Sequence, residues 1–168
     1  MHAIGITTNN QRSKAINDVG FDLLPGNYEV FLTQIEPNAT SQGWWNIGPV
    51  DQPYGRFARS FDTAAGKNTM YFALNKDFFV QNASRSMKVR VVYLDQGKGS
   101  WSLCYIDNKG KVKTASSVTN TDSGDWKEIT TIIGDAAFAG NGPKGADLML
   151  HNDSGDDSVF HMVELMRL

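Results

Sequence analysis

The chain has 168 residues, 40% hydrophobic, 11% aromatic and 20% charged, which fits one domain able to bury about two-thirds of its unfolded surface. Its 16 lysines and arginines against 18 aspartates and glutamates leave a formal charge of −2, which argues against a binder of nucleic acid or anionic membrane that relies on a strong positive field. No apolar run approaches the roughly 18–20 residues of a membrane-spanning helix, and residues 1–10 are polar, with no signal-peptide pattern.

Residues 1–27 carry the weakest pattern and are expected to form an arm or a first strand. From there the chain reads as strands separated by turns. A strand is expected at 28–35 (YEVFLTQI). The following segment, TSQGWWNIGPVDQPYG, is rich in Gly, Pro, Asn and Gln and reads as a loop. Strands are then expected at 55–62, 69–75, 86–95, 100–106, 126–133, 147–152 and 157–166. Met87, Val89, Val91 and Tyr93 alternate with Lys88 and Arg90, and Met70, Phe72 and Leu74 alternate with Tyr71 and Ala73, as half-buried strands require. Turn sequences such as Gln96-Gly97-Lys98-Gly99, Asp107-Asn108-Lys109-Gly110 and Asp153-Ser154-Gly155-Asp156 lie between apolar runs. Helical turns are expected only at 76–80 and 134–139, each too short to stand alone. Eight strands with almost no helix imply an all-β fold: an antiparallel β-sandwich of jelly-roll type, not a βαβ sheet.

Few motifs carry chemistry. Gly140, Gly142 and Gly145 satisfy G-x-G-x-x-G with Glu164 further on, but Pro143 interrupts the motif and no helix follows, so a loop between strands is expected. There is no G-x-S-x-G, and His2, His151 and His161 are not at metal-ligand spacing. His151 and His161 fall on the last two strands and are expected to face each other across a hairpin, as satisfied strand histidines or as ligand contacts. Asp153, Asp156 and Asp157 cluster in one turn, either as solvated turn formers or as oxygens for a hard cation. Cys104, the single cysteine, sits in SWSLCYI and reads as a buried small hydrophobe.

The aromatic residues are more informative. Trp44, Trp45 and Tyr54 in a polar segment must either pack beneath it or meet a ligand. Adjacent side chains rarely share a face, so one indole is expected buried and one available. Arg56 and Arg59 follow in YGRFARSF, which as a strand puts Phe57, Arg59 and Phe61 on one face. An arginine between phenylalanines must be paired, for instance with Glu29 or Glu164, or stacked, or placed at a cleft. Trp101 and Trp126 each open a strand and are expected in the core or at its rim.

The runs YGRFARSF, NTMYFALNKDFF, VRVVYLDQGKGSWSLCYI, SGDWKEITTIIGDAAF and ADLMLHNDSGDDSVFHMVEL together resemble the jelly-roll carbohydrate-binding modules appended to secreted polysaccharide-degrading enzymes. The resemblance covers about residues 28–168. It implies non-catalytic binding of an algal or plant polysaccharide, attachment to a glycoside hydrolase in a longer chain, and a secreted, periplasmic or cell-surface location. Structural Ca²⁺ often accompanies such modules, and no ligand set for it is matched in this chain. With binding at the loop edge, Trp44, Trp45 and Tyr54 would stack on sugar rings. Arg56 and Arg59 would donate to hydroxyls or sulfates, and Asp95, Gln96, Asn152 and Asp153 would add polar contacts. Two other readings are carried. One is a small jelly-roll lyase or hydrolase using Arg59, Tyr54 or His151. The other is an interaction sandwich packed on a neighbouring catalytic domain.

Overall fold

Wherever this chain places an apolar side chain at every second position, that side turns inward, and two sheets form where the inward sides meet. The computed structural model describes residues 32–52, 54–78 and 86–168, and the backbone alone of 5–8, 50–52, 54, 55 and 77. Among these residues the elements are β1 (Gly5–Thr8), β2 (Leu32–Ile35), α1 (Pro37–Thr40), β3 (Gln42–Gln52), β4 (Tyr54–Ser60), β5 (Thr69–Leu74), β6 (Met87–Leu94), β7 (Ser100–Ile106), β8 (Val112–Thr119), β9 (Trp126–Ile133), β10 (Leu148–Ser154) and β11 (Val159–Arg167).

One sheet has the order β3-β4-β11-β6-β9, with β1 paired in parallel to β11, and the other the order β2-β5-β10-β7-β8. From β4 onward the chain passes repeatedly from one sheet to the other, and the strand pairs apart from β1 with β11 are antiparallel, giving the expected β-sandwich. Among the described residues helix is confined to α1 and three short 3-10 turns.

The alternation read in β5 and β6 is the one observed. Met70, Phe72 and Leu74 are buried between half-exposed neighbours, and Met87, Val89 and Val91 likewise. They meet Leu148 and Leu150 of β10, Leu103 of β7, and Phe160, Val163 and Leu165 of β11 in one continuous core. Trp101 lies at its centre, edge-on to Tyr93 (centroids 5.1 Å apart) and to Phe160 (4.9 Å). Burying a large apolar side chain contributes about 1.5–3 kcal/mol, so this face supplies most of the drive to fold. Cys104 is buried on the other face of β7 with Ile106, Ala146 and Met149, and burial pushes its thiol up.

Four expectations are corrected. The polar aromatic segment expected as a loop is mostly strand β3, at the edge of its sheet. Its pairing with β4 shifts register between Trp44 and Ile47 and again between Ile47 and Gln52, which accommodates Gly48 and Pro49. β8, also an edge strand, was hidden by its Ser/Thr-rich, largely exposed sequence. Residues 134–139 form no helix, because Ala136 bridges to Asp107 instead. His151 and His161 do not face one another: β10 and β11 lie in different sheets. The turn at 76–80 appears as Lys76–Phe78, and the glycine motif is a loop holding one 3-10 turn, Pro143–Gly145. Of the strand expected at 28–35, residues 28–31 lie outside the described residues, as does His2.

Two turns at one end pack too closely for any side chain at Gly99. A Cβ there would stand 2.1 Å from the carbonyl oxygen of Asp156 and 3.2 Å from Ser158 Oγ. Gly99→Ala must push the 155–158 backbone aside, and is expected to cost about 1–3 kcal/mol. Urea denaturation measures this, and a midpoint equal to that of the unmodified chain would refute it.

Candidate functional site

Successive strand residues point to opposite sides, so the neighbours Trp44 and Trp45 part company at once. Trp44 lies opposite Ala58, on the outward side of the sheet, and its Nε1–H donates to Ser60 Oγ at 2.9 Å. Trp45 lies on the side of Phe57 and Arg59, and its ring meets Phe57 edge-on with centroids 5.2 Å apart. Both indoles remain open to solvent, Trp44 by 37% and Trp45 by 62%, so the expectation of one buried ring is corrected. Each ring is nonetheless held by a cross-strand partner, which lowers the entropy lost when a ligand covers it.

Behind β3 a second cluster supports the hairpin. Ala58, Leu94 and Val159 are buried together, with Ile47 and Trp126 packed on them. The Arg56 guanidinium lies 5.4 Å from the centre of the Trp126 ring, a cation–π contact. His161 meets the same ring edge-on at 5.9 Å, and its Nδ1–H donates to the Phe57 carbonyl at 2.7 Å. Gly48, with φ +79°, runs so close over Trp126 that a Cβ would lie 2.8 Å from Nε1. Of Tyr54 only the backbone is described, opposite Gln52 at the hairpin end, and its side chain lies outside the described residues.

The other expected residues are placed elsewhere. Arg59 is 2% exposed and donates to backbone and side-chain oxygens of residues 37–41 and, among the described residues, to no carboxylate; Glu29, one of its expected partners, lies outside them. Asp95 is 1% exposed and accepts from the Thr121 amide (2.6 Å), Thr121 Oγ1 (2.6 Å), Ser123 Oγ (2.7 Å) and Lys127 Nζ (2.6 Å). Burial alone would raise that carboxyl, but the hydrogen bonds from Lys127, Thr121 and Ser123 outweigh it and hold it well below the usual carboxylate range. Gln96 is exposed, and its carbonyl accepts from Asn120 Nδ2. Asn152 is buried opposite Trp101, and its Oδ1 has no hydrogen-bond partner among the described residues.

Asp153 is exposed on the outward face of the second sheet and accepts from Ser102 Oγ. Ser102 also shares a hydrogen bond with Ser117, and His151 Nδ1 with Thr69 Oγ1 at 2.8 Å. Sequence reasoning missed this polar row and the ring support from Phe57 and Ser60. Its signal was the strand alternation that puts Ser102, His151 and Thr69 on one side.

The structure therefore gathers Trp44, Trp45, Arg56, Arg59 and the backbone of Tyr54 in one hairpin and places Asp95, Gln96, Asn152 and Asp153 elsewhere. Arg59 and His151, named as alternatives in the enzymatic reading, belong to different sheets. The turn carboxylates do not converge either: Asp156 accepts from the Lys98 amide, Asp157 from the Thr63 amide and Asp153 from Ser102. Among the described residues no three His, Cys, Asp or Glu side chains gather as a metal-ligand set.

No model of a known protein family matches the chain, and no curated protein matches it. Solved structures do resemble it. The CBM22-1–GH10 modules of the N-terminal endo-1,4-β-D-xylanase 10B (Xyn10B) of Clostridium thermocellum, complexed with xylohexaose, align with 82% of this chain at 17% identity and a TM-score of 0.45. This chain covers 26% of that structure, about a quarter of its length. The carbohydrate-binding module CBM6cm-2 of Cellvibrio mixtus lichenase 5A, in complex with cellotriose, aligns with 83% of this chain and 99% of its own, at 11% identity and a TM-score of 0.36.

Proposed function

We propose that the chain is a non-catalytic carbohydrate-binding module whose glycan stacks on the tryptophans of β3, with Trp45 as the principal ring. The supporting observation is the pair of exposed indoles at a sheet edge, each braced by a cross-strand partner. The apolar C–H face of a pyranose covers such a ring, while its hydroxyls keep their water or meet nearby polar groups. The resemblance of the sequence to jelly-roll modules of polysaccharide-degrading enzymes supports the same reading. On it, the module is secreted or held at the cell surface, and it keeps an attached hydrolase on an algal or plant glycan by raising local concentration. A structural Ca²⁺ belongs to the same proposal.

Affinity electrophoresis of the chain through gels containing agarose, carrageenan, xylan or mixed-linkage β-glucan tests it, with and without EDTA. Retardation by at least one glycan is expected. Loss of one aromatic contact is worth about 1–2 kcal/mol, so Trp45→Ala should weaken retention roughly 5- to 30-fold. Unchanged mobility on every glycan would overturn the reading in favour of an interaction sandwich.

A further inference from the structure

The segment that launches β3 is poorly held by its own sequence. α1 is a single turn of four residues, entered through Glu36 at φ 45° with no side-chain cap, and an isolated turn of that length has no independent stability. Thr40 Oγ1 donates to the Glu36 carbonyl and Lys67 Nζ to that of Asn38, and the side chain that ties Pro37, Asn38 and Ser41 together is Arg59. One guanidinium nitrogen donates to the Pro37 carbonyl at 2.8 Å and to Ser41 Oγ at 3.1 Å, and the other to Asn38 Oδ1 at 2.9 Å. Ser41 Oγ in turn donates to the Pro37 carbonyl at 2.6 Å and accepts from Gln34 Nε2 at 3.0 Å.

The same guanidinium faces the start of β3. Gly43 lies directly across from Arg59, and a Cβ there would stand in ordinary van der Waals contact with the guanidinium, at 3.6 Å. Trp45 is two residues further along on that side, and Phe57, its ring partner, two residues before Arg59. Burying a cation whose acceptors are all neutral is costly. A plain packing role would be met by an apolar side chain, as in Phe61 on the same face.

We infer that Arg59 is a positioning residue: by clamping residues 37–41 it fixes where β3 begins, and thereby the pose of the Trp45 ring offered to a saccharide. This rests on the stacking role proposed for Trp45. A planar fork reaches several oxygens at once, whereas lysine supplies one compact donor group on a flexible stem, so Arg59→Lys keeps the charge and loses the clamp.

The test reads Trp45 itself. Its emission and acrylamide quenching are obtained as the difference between each protein and its Trp45→Phe counterpart, beside retention in the gel glycan that retards the unmodified chain. Arg59→Lys is expected to melt cooperatively, to shift Trp45 emission to the red with greater quenching, and to weaken retention about tenfold, the equivalent of about 1.4 kcal/mol. Asn38→Ala, which removes an acceptor carried by an exposed residue, is expected to move both signals the same way by less. A merely structural arginine would lower the melting temperature and leave Trp45 emission in place, and that result would overturn the inference. Should Arg59→Lys not fold, Asn38→Ala decides, and unaltered Trp45 emission there overturns it. If instead Trp45→Ala leaves retention intact, the proposed function fails, while the emission readout still decides the role of Arg59.

Discussion

Asp95→Ala is expected to lower stability by about 3–5 kcal/mol, the cost of removing one partner from a buried charged network. The carboxylate is sealed between the end of β6 and the turn before β9, where it gathers two hydroxyls, two amides and the Lys127 ammonium. The backbone of Asp95 ties the same turn, donating to the Asp125 carbonyl and accepting from the Gly124 amide. Without the carboxylate those donors stay in place with nothing to bond, and the turn from 121 to 125 loses its centre. The effect depends on pH in a fixed direction. The folded-state pKa lies below the unfolded value near 4, so the stabilisation is full above about pH 4–5 and is lost as the pH falls through the acid range towards the folded value. The stability gap between the unmodified chain and Asp95→Ala, read by denaturant titration, should therefore narrow as the pH falls from about 5 to about 2. A gap that stays constant over that range would show that the charge of the carboxylate does not supply the stabilisation.

Trp101→Ala is expected to cost a comparable amount, about 3–5 kcal/mol, for a different reason. The indole is fully buried where β6, β7 and β11 meet, with Tyr93 and Phe160 presenting to it edge-on at 67° and 90°. Truncation leaves a void that neither ring can enter without leaving its own packing, so transfer and cavity costs add. Trp101 Nε1–H is buried with no hydrogen-bond partner among the described residues, so Trp101→Phe removes an unpaired donor along with some volume and should cost well under half as much. A reduced urea midpoint with an unchanged slope is the expected signature, and equal costs for the two substitutions would contradict the cavity argument.

The sandwich was legible because burial imposes period two on β5 and on the first half of β6, and turn residues mark where the strands stop. β3 escaped for the opposite reason. As an edge strand with two register shifts it tolerates Gly48 and Pro49, so its composition is that of a loop although its ladder is that of a strand. β8, serine- and threonine-rich with one side in water, gives no apolar alternation to detect. The face of Arg59 could be read from Phe57 and Phe61, but not its partners, because the Pro37 carbonyl carries no mark in the sequence and Asn38 and Ser41 are ordinary turn residues with nothing to tie them to a strand about 20 positions on. The histidines show a similar limit: a short turn between two strands reads as a hairpin unless it is known that the chain changes sheets there.

The hairpin that bears the indoles is joined to its sheet by a short ladder. β4 meets β11 at Ser60 with Val159 and at Arg59 with Phe160, while β6 is paired along its full length on both flanks. What fastens it beyond that ladder is side-chain burial: Ala58, Arg59 and Ser60 are buried at its foot, and His161 Nδ1–H donates to the Phe57 carbonyl. A ligand that covers the two rings binds only this folded arrangement, and so would add to the stability of the seam.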